Sequence, residues 1–193
     1  TISAYDNASA EWGSTHEETL KLIRKYKFLS GQFIWTGFDY LGEPTPYGWP
    51  SRSSYFGIVD LAGFPKDIYY LYQSEWTDKT VLHLFPHWNW KPGQTVDVWA
   101  FYNHADEVEL YLNGISVGVR RKSGDDLHVM WRLKFEPGTL KAVSRKDGKV
   151  VMEQEIKTAG RASKIDLSAA RKIIRADGSG LAFITVKVLD KAG

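Results

Sequence analysis

Apolar residues recur along this chain with two different periods, and the change of period divides it. Residues 1–13 carry Tyr5, Asp6, Asn7, Glu11 and Trp12 without periodicity and read as a surface loop. Leu20, Ile23 and Tyr26 then repeat at helical spacing, with Lys21, Arg24, Lys25 and Lys27 mostly on the other face. Ser14 with Glu17, and Thr15 with Glu18, match the capping-box spacing that satisfies the first free amides of a helix. Ser30-Gly31 should end that helix. The run Phe33-Ile34-Trp35 follows and predicts a short strand buried on both faces. After it comes a polar, turn-rich loop through Thr36, Gly37, Asp39, Gly42, Glu43 and Pro44 to Pro50. Gly57-Ile58-Val59-Asp60 is too short to assign. Phe64-Pro65-Lys66-Asp67 opens a second helix, with Pro65 in its first turn and Ile68, Tyr69, Tyr72 and Trp76 on its apolar face. Helix, short turn and buried strand make an αβ unit of a barrel or open sheet.

Near Thr77-Asp78-Lys79 the period drops to two. Strands are expected at 81–85, 96–101, 108–112, 129–133, 140–143 and 150–153. Pro92-Gly93 and Pro137-Gly138 punctuate them, while Asn113-Gly114 and Asp147-Gly148 suit tight hairpins. About seven strands in some 80 residues predict an immunoglobulin-like sandwich. Thr158-Ala159-Gly160 reads as a linker. Residues 164–167, 172–174 and 183–188 then read as the opening strands of a further sandwich, with Asp177-Gly178 a turn between the last two.

Composition narrows the function classes. The 193 residues are 43% hydrophobic and 25% charged, which fits a folded chain rather than a disordered one. A net charge of +2, with Lys and Arg spread along the sequence, gives no argument for nucleic acid. No apolar run approaches the roughly 20 residues of a membrane helix. Thr1-Ile2-Ser3 shows neither an initiator Met nor a secretory pattern, so the chain is expected to continue upstream. The absence of Cys excludes disulfides and thiolate metal sites and leaves the redox compartment open. Eight Trp, ten Tyr and nine Phe are many, and composition alone assigns most of them to the core.

The stretch from Gly31 to Pro44, continued by Thr45-Pro46-Tyr47-Gly48-Trp49-Pro50, resembles the last barrel strand and its loop in the β-galactosidase-like members of glycoside hydrolase family 2. The resemblance extends over the sandwich and more weakly beyond residue 160. It implies the C-terminal part of a (β/α)8 barrel at 1–78, an immunoglobulin-like sandwich at 79–159, and the start of another at 160–193. Residues 1–78 would then be about a quarter of a barrel, which takes roughly 250 residues when complete. The implied reaction is hydrolysis of a β-glycosidic bond with retention, which needs two carboxyl groups about 5–5.5 Å apart. Asp39 and Glu43 invite that reading. In the family, however, both catalytic glutamates come from earlier barrel strands, so no catalytic residue is expected in this chain and the chain alone should be inactive.

What remains for this segment is substrate binding. By resemblance Trp35 matches the tryptophan that floors the glycone subsite; without the resemblance it would read as an ordinary core tryptophan. Asp39 and Glu43 could accept strong hydrogen bonds from sugar hydroxyls, and Asp39 could equally cap its own loop. Tyr47, Trp49 and Tyr55 are rim or packing residues. The family's β-glucuronidases place an Asn-x-Lys before a Gly-Ile that matches Gly57-Ile58. Here Ser54-Tyr55-Phe56 stand there, so a neutral β-glycoside such as a galactoside is expected as substrate. No metal and no cofactor is expected: His83, His87, Asn89 and Asp97 lack a ligand spacing. No nucleic-acid or membrane partner is expected, self-association stays open, and the resemblance favours a periplasmic or secreted bacterial location. The rival reading is a non-catalytic carbohydrate-binding or adhesion module using Trp88, Trp90, Trp99 and Trp131. Exposed rings on one sheet would support it; buried rings would oppose it.

Overall fold

In the computed structural model, residues 4–193 are described; Thr1-Ile2-Ser3, the start of the expected surface loop, lie outside the described residues. The architecture is mostly β. Helix α1 (His16–Lys25) and helix α2 (Asp67–Trp76) precede nine strands. Thr15 is the N-cap of α1 and accepts from the Glu18 amide at 3.3 Å, so the second of the two capping-box alternatives is the one used. The helix stops at Lys25, before the expected Ser30-Gly31, because Tyr26 already has extended backbone. Pro65 precedes the Lys66 N-cap of α2 instead of sitting in its first turn.

Strands β1 (Leu82–Phe85), β2 (Thr95–Tyr102) and β5 (Val129–Lys134) form one antiparallel sheet in the order β1-β2-β5. Strands β3 (Glu107–Leu112), β4 (Ile115–Arg120), β6 (Thr139–Lys146) and β7 (Lys149–Lys157) form a second, ordered β4-β3-β6-β7. The two pack face to face. Leu82, Leu84, Val98, Ala100 and Trp131 from the first sheet meet Val108, Leu110, Leu140 and Ala142 from the second in one buried cluster. The second sheet shows its other face to water and carries ion pairs there, Glu109 with Arg145 and Lys141 with Glu153, and β3 alternates between buried and half-buried positions accordingly.

The first sheet is covered on its inner face by the second sheet and on part of its outer face by the helices. His83 and Phe85 of β1, and Trp99 and Phe101 of β2, point away from the sandwich core. Phe85, Phe101 and Leu127 are buried there against Leu20 of α1 and Leu71 and Tyr72 of α2. Each fully buried ring or leucine of this second core is worth about 1.5–3 kcal/mol. Buried polar contacts reinforce it: Glu17 of α1 is paired with His128, whose ring stacks on Trp99 at 3.7 Å. The helices and the sandwich therefore share a core.

Three expectations are corrected. Residues 33–35 form no strand; Phe33 and Trp35 are solvent-exposed, because a strand covered on both faces needs neighbours that the described residues do not provide. Strand β4 was not among the strands read from the sequence. It is a sheet edge with little buried surface, a bulge opposite Leu110/Tyr111, and Gly118 at a φ of +112°. Residues 172–174 are not a strand, and Ile173 is almost fully exposed. The last segment is a single hairpin, β8 (Lys164–Ala169) with β9 (Ile184–Leu189). Its pairs Ile165–Val188, Leu167–Val186 and Ala169–Ile184 put six apolar side chains on one face.

Candidate functional site

The candidate site is built on a short parallel pairing of residues 36–39 with 56–59. Thr36 donates to Phe56, Ile58 to Thr36, Val59 to Gly37, and Asp39 to Val59, all at 2.9–3.1 Å. Gly57 is obligatory in this pairing: a Cβ there would sit 2.1 Å from the Asp39 amide nitrogen. Between the two halves the chain runs out and back, tied by Gly42 N–H to the Arg52 carbonyl and by Ser54 N–H to the Tyr40 carbonyl. Ser54, where the resemblance would place part of a carboxylate-binding motif, is fully buried and accepts from the Tyr40 amide at 3.2 Å.

This scaffold separates the three sequence-derived candidates. Trp35 is 71% exposed, and its peptide bond to Thr36 is cis. The indole meets the Tyr40 ring edge-on at 6.2 Å and its Nε1 donates to Tyr40 Oη at 3.3 Å. Tyr40 in turn donates to the Glu43 carboxylate. That hydrogen bond to Glu43 is the main reason the Tyr40 phenol is pushed above its ordinary value. Trp35 and Glu43 are thus brought together through a residue that sequence reasoning missed. The available signal was its spacing, five residues after Trp35 and three before Glu43, at the start of the loop.

Asp39 points the other way. It is buried, and its Oδ1 accepts from the Gly57 amide and from Lys66 Nζ, both at 2.8 Å. Lys66 also donates to the Tyr55 carbonyl at 3.2 Å. Of its two sequence readings, sugar acceptor and loop cap, the geometry matches the loop cap. Lys66 lies 27 positions away with no local signal, so its part was not legible in the sequence. The neighbouring rings are held by each other: Tyr47 meets Tyr55 edge-on at 5.2 Å, and Arg52 lies 4.8 Å over Trp49. The site offers an open indole face beside a carboxylate tethered by Tyr40.

Elsewhere, His83 Nε2 bonds Asp67 Oδ1 at 2.7 Å and its ring stacks on Tyr70, while His87 stacks on Trp90. Among the described residues no group of three His, Cys, Asp or Glu could hold a metal ion, and no helix is long and apolar enough to cross a membrane. Trp88 and Trp131 are buried in the sandwich core and Trp99 is covered by His128 and Tyr5, so the four tryptophans do not form an exposed face.

Comparison with known proteins decides between the readings. A family model described as a domain of unknown function, DUF4982, matches residues 93–152. A β-galactosidase of Bacteroides ovatus, BoGH2A, is 67% identical over 99% of this chain and 22% of its own length. A putative β-glucuronidase of Formosa agariphila is 39% identical over 99% of this chain and 19% of its own. The crystal structure of a β-glycosidase from Bacteroides vulgatus superposes on the whole chain with a TM-score of 0.87 at 36% identity, covering 24% of that chain. A glycosyl hydrolase family 2 member from Bacteroides cellulosilyticus gives 0.81 at 30% identity, over 92% of this chain and 28% of that one. Over nearly its whole length the chain is similar to proteins of glycoside hydrolase family 2. It spans about a fifth of the length of those two curated relatives.

Proposed function

We propose that this chain is a C-terminal segment of a retaining β-glycosidase, in which Trp35 walls the glycone subsite and Glu43, held by Tyr40, accepts hydrogen bonds from the sugar. Asp39 serves the same site indirectly, by fixing the loop to Gly57 and Lys66. The observation that carries the reading is the exposed Trp35 indole beside a tethered carboxylate, in a chain 67% identical to a β-galactosidase. The two catalytic carboxylates lie outside this chain, so the purified segment has no hydrolase activity.

The substrate is a neutral β-glycoside, a galactoside by preference. Support comes from position 54, where the buried Ser54 ties back to Tyr40 and no lysine is offered by 54–56. Residues 1–78 complete a (β/α)8 barrel, and the parallel pairing of 36–39 with 56–59 supports this. Residues 79–159 are an immunoglobulin-like domain, for which the strand orders β1-β2-β5 and β4-β3-β6-β7 speak. Residues 160–193 open a further one, in a periplasmic or secreted protein that takes no cofactor.

The test is Trp35→Ala in the intact protein. If the ring lies against a sugar already distorted toward the transition state, its loss lowers kcat as well as raising KM for an aryl β-galactoside. With the ring already exposed, stability should change by less than the roughly 3–5 kcal/mol of a core tryptophan. A folded variant with unchanged kcat/KM would falsify the assignment.

A further inference from the structure

The half of the first sheet's outer face that the helices leave open carries a cavity of about 430 Å³. It is made from elements other than the Trp35 loop: Trp90 and Gln94 before β2, Thr95 and Asp97 on β2, Arg132 on β5, and Tyr5 from the N-terminal loop. Its volume falls within the roughly 300–1,000 Å³ of small-molecule sites.

The wall groups are fixed before any ligand arrives. Trp90 is backed by the His87 ring at 4.7 Å, and its Nε1 donates to the His87 carbonyl at 2.7 Å. Asp97 and Arg132 face each other across the β2–β5 ladder and make two parallel bonds, Nε to Oδ1 at 2.7 Å and a terminal nitrogen to Oδ2 at 2.8 Å. The Arg132 hydrogen bonds hold the Asp97 carboxyl below its usual range, so the pair is ionised on both sides. Tyr5 Oη donates to the Asp97 carbonyl at 2.5 Å and closes one side.

These parts define a ligand chemistry. The paired charges cancel, so the cavity has no excess charge with which to select an anion. A guanidinium has five N–H donors and a carboxylate about four acceptor positions, so each keeps capacity after their mutual pairing. A fixed donor beside a fixed acceptor matches two neighbouring hydroxyls, and the Trp90 ring supplies an apolar wall for the C–H face of a pyranose. We propose that this cavity is a second, non-catalytic site that binds a neutral oligosaccharide through Trp90 and the Asp97–Arg132 pair. The sugar class rests on the glycosidase reading above; the site itself does not depend on Trp35. Its use would be to retain a chain of sugar units while its end is hydrolysed elsewhere, and a rigid site lowers the ordering cost of doing so.

The experiment is a nitrogen–proton NMR titration of the 193-residue chain with lactose, and separately with glucuronate, following the Trp90 indole and Arg132 Nε–H signals. Lactose should shift both, saturating in the millimolar range. Trp90→Ala should weaken lactose binding, read at Arg132, by about tenfold or more, while Trp35→Ala leaves it unchanged. Gln94→Ala, at an exposed position, gives a second variant should Trp90→Ala fail to fold; it should weaken binding with the signals retained. No shift of either signal with lactose, shifts that survive both cavity variants, or tighter binding of glucuronate than of lactose would each overturn the proposal. None of these outcomes touches the Trp35→Ala kinetics of the intact protein, so the two readings fail separately.

Discussion

His16, the first residue of α1, meets Tyr72 of α2, and burial sets the protonation of both. Gln32 Nε2 donates to Tyr72 Oη at 3.1 Å, and the phenol lies 2.8 Å from His16 Nδ1. Burial pushes the Tyr72 phenol up to about 12, so it stays protonated. Burial correspondingly lowers His16 below its ordinary 6.5, with Asp6 opposing in part. The sign follows from proton counting. As pH falls past 6.5 the unfolded chain takes up a proton that the folded chain resists, so stability drops on acidification. Urea midpoints measured between about pH 7 and pH 5 should therefore fall less steeply for His16→Gln than for the parent chain. Parallel slopes would mean that His16 takes up its proton equally in the folded and the unfolded chain.

At the scale of elements, α2 joins the candidate site to the sandwich. Lys66, its N-cap, reaches Asp39 in the loop, and Asp67, its first residue, reaches His83 on β1. One turn on, Leu71 is fully buried against the outer face of the sheet. Leu71→Ala should cost about 2–5 kcal/mol in urea denaturation, whereas Leu22→Ala, on the exposed side of α1, should cost well under 1 kcal/mol. Comparable losses at the two positions would mean that the helices do not share a core with the sheet. The helices, the main sandwich strands and both tight turns were legible because each follows from a local rule. Asn113-Gly114 and Asp147-Gly148 take the positive φ values that such turns require. What escaped the sequence was non-local. Strand β4 buries too little to show a period, the run at 33–35 lacks neighbours on its faces, and the apolar Lys172–Ile174 stretch finds no partner strand. At the site, Trp35 and Glu43 stood out by type and position. Asp39 was ambiguous until Lys66, far along the chain, settled its direction.

For the whole molecule, the compositional break near residue 78 is a change of secondary structure without a break in packing. The first sheet contributes Leu84, Val98 and Ala100 to one core and Phe85 and Phe101 to the other. A chain beginning at residue 79 should fold its sandwich yet expose Phe85, Phe101 and Leu127, and so associate or bind a hydrophobic dye. Sedimentation of that shortened chain beside the 193-residue chain checks this, and a monodisperse, dye-silent monomer would show that the helices are a dispensable cover. The same double-sided sheet has a consequence for inheritance. A sandwich with one wet face can be shuffled between proteins as a bead on a string, because recombination at its ends breaks no contacts. Here an exchange at the visible seam would deliver a bead with an oily side, so helices and sheet should travel through descent as one cassette, with the Trp35 loop carried along on the end of α2.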